Sequence, residues 1–168
     1  MKKFVAVAGN IGVGKSTLVS MLCKRLDSQP FYEPVSENPY LADFYADMSA
    51  WAFHSQIFFL TRRLRAHYDM AQQPHSVVQD RSVYEDAEIF AHNLFLQGHI
   101  KERDYATYRE LYETSVQLLP PPDLMIYLRC PLKTLTKRIR RRGRAYERAV
   151  PRSYLLSLEE LYEEWFAR

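Results

Sequence analysis

Residues 9–17 read Gly9-Asn10-Ile11-Gly12-Val13-Gly14-Lys15-Ser16-Thr17 and follow a short apolar run, Phe4–Ala8. The stretch fits G-x-x-x-x-G-K-[ST] at all four fixed positions. Glycines at these places let the backbone turn around a phosphate with its N–H groups pointing inward. The helix beginning at Lys15 then adds the positive end of its dipole. In this pattern the lysine holds the β- and γ-phosphates and the following hydroxyl ligates magnesium, which gives those parts to Lys15 and Ser16. ATP with magnesium, bound by Gly9 to Thr17, is the first expectation.

Working outward, short apolar runs alternate with longer stretches of helical period. Strands are expected at Phe4–Ala8, Phe31–Glu33, Ser76–Gln79 and Leu124–Leu128. Helices are expected at Lys15–Leu26, Trp51–Met70, Tyr84–Gln97, Glu102–Leu118, Pro131–Arg141 and Ser153–Ala167. Such alternation implies an α/β fold, a mainly parallel sheet with helices on both faces. Ligands then sit beyond the carboxyl ends of the strands. Polar residues do follow the strands there: Gly9 after the first, Glu33 at the end of the second, Asp80 and Arg81 after the third.

At 168 residues and 47% hydrophobic, the chain suits a single domain, 1–168, with a sizeable core. Its net charge of +3 is too slight to argue for a nucleic-acid partner. Two distant cysteines, Cys23 and Cys130, form no zinc pattern and suit a reducing cytoplasm. No run approaches the ~20 apolar residues a membrane span needs. A cytoplasmic protein without a membrane or nucleic-acid partner is expected.

The acceptor side has to say which phosphate chemistry this is. A hydroxyl acceptor needs a nearby carboxylate to take its proton as the O–P bond forms. A monophosphate acceptor needs a cationic clamp instead. No Lys or Arg stands between Leu26 and Arg62, so the region around Glu33 suits a neutral alcohol. A solvated loop acid remains the plain alternative for Glu33. Asp80 at a strand end opposite the phosphate loop suits magnesium, and Arg81 suits an acceptor oxygen or the moving phosphoryl group. The basic run Lys137-Arg138-Ile139-Arg140-Arg141-Arg142-Gly143-Arg144 has an apolar side through Leu132, Leu135 and Ile139. It reads as a helix ended by Gly143, either a lid (about 138–150) over ATP, a nucleic-acid patch, or a solvated face.

Together these residues resemble the deoxynucleoside kinase family, in particular its bacterial deoxyadenosine and deoxycytidine kinases. The resemblance runs through GNIGVGKST, EPVSENPYL, the W-x-x-x-x-Q stretch from Trp51 to Gln56, DRSVYED and RRGRAYE. It implies a P-loop kinase three-layer sandwich and transfer of a phosphoryl group from ATP to a deoxynucleoside 5′-hydroxyl, for nucleotide salvage. It implies that Glu33 is the general base, that Arg81 binds near the same oxygen, and that Asp80 is linked to magnesium. Tyr45 and Glu147 match positions that bond the sugar 3′-hydroxyl, with Tyr45 crowding the 2′ side. Gln56 matches the amide that reads the base edge, and Phe90 the aromatic that stacks on it. Arg138, Arg142 and Arg144 match lid arginines that meet ATP. Arg63 and Asp86 match a pair found in members that accept deoxycytidine and purine deoxynucleosides, which disfavours thymidine. The YED after DRS resembles the bacterial deoxyadenosine and deoxycytidine kinases, so the resemblance favours deoxyadenosine, with deoxycytidine or deoxyguanosine as alternatives.

The resemblance also implies a homodimer. Members of the family continue into a fifth strand and a loop on the adenine of ATP, whereas this sequence stops at Arg168. The fifth strand is expected to be missing, the chain being short by nature or cut. Two rivals stay open: a nucleoside monophosphate kinase of thymidylate kinase type, and a non-catalytic nucleotide-binding or nucleic-acid-binding ATPase.

Overall fold

The computed structural model describes residues 2–32 and 35–168. Among them four strands, β1 (Phe4–Gly9), β2 (Gln29–Phe31), β3 (Val77–Asp80) and β4 (Leu124–Leu128), form one parallel sheet in the order β2-β3-β1-β4. The helices are α1 (Lys15–Leu26), α2 (Leu41–Ala46), α3 (Met48–Gln72), α4 (Val83–Glu85), α5 (His92–Leu96), α6 (Glu102–Val116), α7 (Leu132–Arg142) and α8 (Arg152–Phe166). A π-helical turn, Asp86–Ala91, joins α4 to α5.

Alternation along β1 divides the core between the two faces of the sheet. Val7 packs with Val78 and with Val19 and Cys23 of α1 on one face. Phe4 and Ala6 pack with Met70 of α3 on the other. There Ala8 joins Phe44, Ala52, Ile89, Leu158 and Tyr162, which draws α2, α3, the π-turn and α8 onto the sheet. A further cluster, Leu60, Val83, Ala87, Tyr108 and Tyr112, packs α6 against α3 and α4. Each buried Val, Leu, Ile, Phe or Met among them contributes roughly 1.5–3 kcal/mol by leaving water.

The sequence expectation for the second strand is displaced. It runs Gln29–Phe31 instead of Phe31–Glu33, and it carries Pro30. β2 is an edge strand, where a proline costs no ladder bond on its outer side. Glu33 and Pro34 lie outside the described residues. The six-residue helix α2 has no counterpart in the sequence reading, being too short for a period to register. The helix expected over Tyr84–Gln97 is instead three pieces, opened by a capping box in which Ser82 accepts from Glu85 N and Glu85 accepts from Ser82 N. α1 and β4 have the expected bounds, and the remaining boundaries shift by at most three residues, as element ends do.

The register carries all of this to one rim. Val7 pairs with Asp80, and Arg81 N donates to Val7 O at 3.0 Å, so the end of β3 stands beside the start of the phosphate loop. Leu158, fully buried between α8 and this face, tests the packing. Leu158→Ala is expected to destabilise the fold by about 2–5 kcal/mol in urea unfolding; a loss under about 1 kcal/mol would contradict that packing.

Candidate active site

A cavity of about 510 Å³ opens at the carboxyl ends of the strands. It is lined by Gly12, Gly14, Lys15, Ser16 and Thr17 of the phosphate loop and α1, and by Tyr45, Gln56, Asp86 and Phe90. Asp80, Arg81, Arg138, Arg142, Arg144 and Glu147 also face it. Tyr32 and Val35, which flank Glu33 and Pro34 in sequence, line it too. Its volume is that of a small-ligand site.

The phosphate loop is braced from three directions. Asn10 donates through Nδ2 to Leu155 O (2.9 Å) and to Glu159 Oε2 (3.0 Å), so its side chain is committed to α8. Lys15 Nζ donates to Asn10 O at 3.3 Å. Arg138 Nη1 donates to Val13 O at 2.7 Å and ties α7 to the loop. Gly12 has φ +81°, and a Cβ there would come within 2.9 Å of Ile139 Cγ1 on α7. Only glycine combines that backbone with that approach.

Ser16 Oγ donates to Asp80 Oδ2. The other oxygen, Asp80 Oδ1, is buried and has no hydrogen-bond partner among the described residues. An unpartnered carboxylate oxygen beside a hydroxyl fits a magnesium ion that takes its remaining ligands from phosphate and water. No described group of three or more His, Cys, Asp or Glu could hold a metal by itself.

Arg81 is the only described residue apart from Asp27 and glycines with positive φ, at +68°. Its guanidinium lies over the Phe90 ring, 4.3 Å from the centroid, and Nη1 donates to Tyr162 OH at 2.8 Å. Nearby, burial pushes the pKa of the Tyr154 hydroxyl well up, with Arg81 opposing, so Tyr154 stays a donor.

Arg63 is buried on α3, with Nε 3.0 Å from Asp86 Oδ2 and Nη1 donating to Asp80 O at 3.2 Å. That pair fixes Asp86 on the π-turn and links it to the end of β3. Gln56 is buried, and its Oε1 has no hydrogen-bond partner among the described residues. Tyr45 stacks parallel to Tyr146, with ring centroids 6.4 Å apart. Glu147 accepts from Arg142 Nη2 at 2.5 Å and Nε at 3.0 Å, and Arg144 Nη1 stands 3.5 Å away. Gly143 ends α7 in the left-handed conformation. Arg142 and Arg144 therefore meet an acid that follows closely in the chain.

Of the residues singled out in the sequence, the structure brings Lys15, Ser16, Asp80, Arg81, Gln56, Asp86, Phe90, Tyr45, Glu147 and the three arginines around one cavity. Gly9, Asn10, Val13 and Arg63 stand behind its wall, and Glu33 lies outside the described residues. Sequence reasoning missed Tyr154 and Tyr162, whose partners are remote along the chain. It also missed Glu85, although Ser82-Val83-Tyr84-Glu85 spells a capping box.

A parallel sheet with a G-x-x-x-x-G-K-S loop, a strand-end Asp-Arg and a basic segment facing the same cavity defines a P-loop phosphotransferase. The family profile described as Deoxynucleoside kinase matches residues 5–168. The chain belongs to the deoxynucleoside kinase family. It is 42% identical over 165 residues to the deoxyadenosine/deoxycytidine kinase of Bacillus subtilis, covering 97% of this chain and 76% of that one. It is 37% identical to a Dictyostelium discoideum deoxyadenosine kinase, over 96% of this chain and 65% of the relative. A structure of deoxyadenosine kinase from M. mycoides with bound dATP superposes with a TM-score of 0.87 at 34% identity, covering 99% of this chain and 84% of that one. A structure of the same kinase with products dCMP and a flexible dCDP gives 0.89 at 34% identity, over 98% and 83%.

Gly12→Ala tests the brace between loop and α7. It is expected to cost about 1–3 kcal/mol of stability and to weaken ATP binding, read by thermal melting with and without nucleotide. Unchanged melting and an unchanged nucleotide shift would contradict the approach of Ile139.

Proposed function

We propose that this cavity seats ATP at its Lys15 end and deoxyadenosine at its Gln56 end, and transfers the γ-phosphoryl group to the 5′-hydroxyl. The products are ADP and the deoxynucleoside 5′-monophosphate. The observation that carries the reading is one cavity lined both by phosphate-binding groups and by an amide, a carboxylate and an aromatic ring.

Glu33 takes the proton of the 5′-hydroxyl as the O–P bond forms. Its neighbours Tyr32 and Val35 both line the cavity, which supports that position. Arg81 binds the acceptor oxygen or the phosphoryl oxygens beside it, and Arg138, Arg142 and Arg144 meet the charge moving onto ADP. Lys15 and the loop N–H groups hold the β- and γ-phosphates. Ser16 and Asp80 would hold magnesium, which supplies charge neutralisation of those phosphates when bound.

For the nucleoside, Gln56 Oε1 has no hydrogen-bond partner among the described residues, and Arg63 turns Asp86 into a fixed acceptor. The adenine edge offers an N6 amine to such acceptors and a ring nitrogen to the Gln56 amide N–H groups. Cytosine and guanine also carry an exocyclic amine, so deoxycytidine and deoxyguanosine are the next substrates; thymine carries none. Phe90 stacks on the base. Tyr45 and Glu147 bond the 3′-hydroxyl, with Tyr45 closing the 2′ side to ribose. The family resemblance adds a homodimer working in the cytoplasm on salvage; no described helix is long and apolar enough to cross a membrane.

The test is a panel of deoxyadenosine, deoxyguanosine, deoxycytidine, thymidine and adenosine with ATP and magnesium. Deoxyadenosine should give the highest kcat/KM, with thymidine lower by about tenfold to a hundredfold. Fastest conversion of thymidine would contradict the reading of Gln56 and Asp86.

A further inference from the structure

Glu85 is fully buried where three parts of the chain meet: the end of β1, the turn after β3, and α8. Its carboxylate accepts from Gly9, Ser82 and Tyr162, residues adjoining the phosphate loop and Arg81. Oε1 accepts from Gly9 N at 3.1 Å and from Tyr162 OH at 2.7 Å. Oε2 accepts from Ser82 N at 2.9 Å and Ser82 Oγ at 3.3 Å. Arg81 Nη1 stands 3.7 Å from Oε1. Gly9 opens the phosphate loop, and Ser82 follows the arginine that faces the acceptor end.

A capping acid needs only the Ser82 contacts. Glu85 does more, because its second oxygen crosses to the phosphate loop and to α8. The Tyr162 hydroxyl lies between Arg81 and Glu85: it accepts from the guanidinium at 2.8 Å and donates to the carboxylate at 2.7 Å. A donor bond to a carboxylate polarises the phenol oxygen and strengthens the bond it accepts. Arg81 is thus held by the Tyr162 hydroxyl at one nitrogen and by the Phe90 face against its plane. Its left-handed backbone persists only where the surroundings over-determine it, and the capping box on the next residue supplies part of that.

We propose that Glu85 and Tyr162 are positioning residues for phosphoryl transfer. The carboxylate fixes Gly9 directly and Arg81 through the Tyr162 hydroxyl, and so sets the spacing between the triphosphate cradle and the acceptor-side guanidinium. Neither residue lines the cavity, so both act through groups that do. The inference rests on the proposed role of Arg81.

Tyr162→Phe removes the hydroxyl and keeps the ring that stacks on Tyr127, with centroids 5.4 Å apart. Its kcat, measured with ATP, magnesium and deoxyadenosine, is expected to fall between about tenfold and a hundredfold, while both KM values move less than about threefold. Glu85→Gln, which turns an amide N–H toward one of the present donors, should give the same split and is the second reading should Tyr162→Phe fold poorly. Combined with Arg81→Lys, Tyr162→Phe should lower kcat by no more than about twofold beyond Arg81→Lys alone. A kcat within about twofold of the parent in a folded Tyr162→Phe or Glu85→Gln protein overturns the inference. So does full additivity in the double variant. A parental kcat in Arg81→Lys removes the role of Arg81 itself, which separates failure of that reading from failure of this one.

Discussion

The end of β1 leaves no room for a side chain. A Cβ on Gly9 would stand 2.7 Å from the carbonyl oxygen of Leu128 on β4, a backbone atom that cannot yield, and the residue has φ +146°. The strand therefore leaves the sheet as bare backbone, and the loop that follows can curl around a phosphate. Because β1 lies between β3 and β4, the same turn brings Asp80 and Arg81 to its side. The close approach at Gly9 sets where the loop starts, and the parallel register sets what stands next to it.

From that rim the groups of the cavity form a chain of contacts. Asp80 bonds Ser16 through its side chain and Arg63 through its carbonyl; Arg63 in turn holds Asp86. A shift at the β3 terminus would therefore be felt both at Ser16 and at Asp86. On the opposite wall Arg138 reaches Val13, while Arg142 and Arg144 are engaged with Glu147. The arginines proposed for ATP and the acid proposed for the sugar thus share partners before either ligand arrives. Ligands that draw on both would have to divide that pairing between them.

Much of this was legible in the sequence because the signals were local. The phosphate loop shows itself in nine consecutive residues, and β1, α1 and β4 are bounded by unmistakable glycines and prolines. Placing Asp80 and Arg81 needed only the rule that ligands gather at strand ends. The start of β2 was not legible, because an edge strand tolerates Pro30 where a central one would not. Nor was the π-turn, a rare six-residue feature with no sequence signature of its own. Tyr162 joins Arg81 and Glu85 across more than 75 residues of chain, and only folding reveals such a contact. Glu85 was readable as a cap; its bond to Gly9 was not.

The proposed chemistry depends on Glu33 taking the proton of the acceptor hydroxyl. The most direct test replaces Glu33 by alanine and follows two quantities, ATP affinity and turnover of deoxyadenosine. Removal of a positioned general base is expected to lower turnover by about 10²–10⁴-fold while ATP binds as before. Phosphoryl transfer at the parental rate would contradict the account.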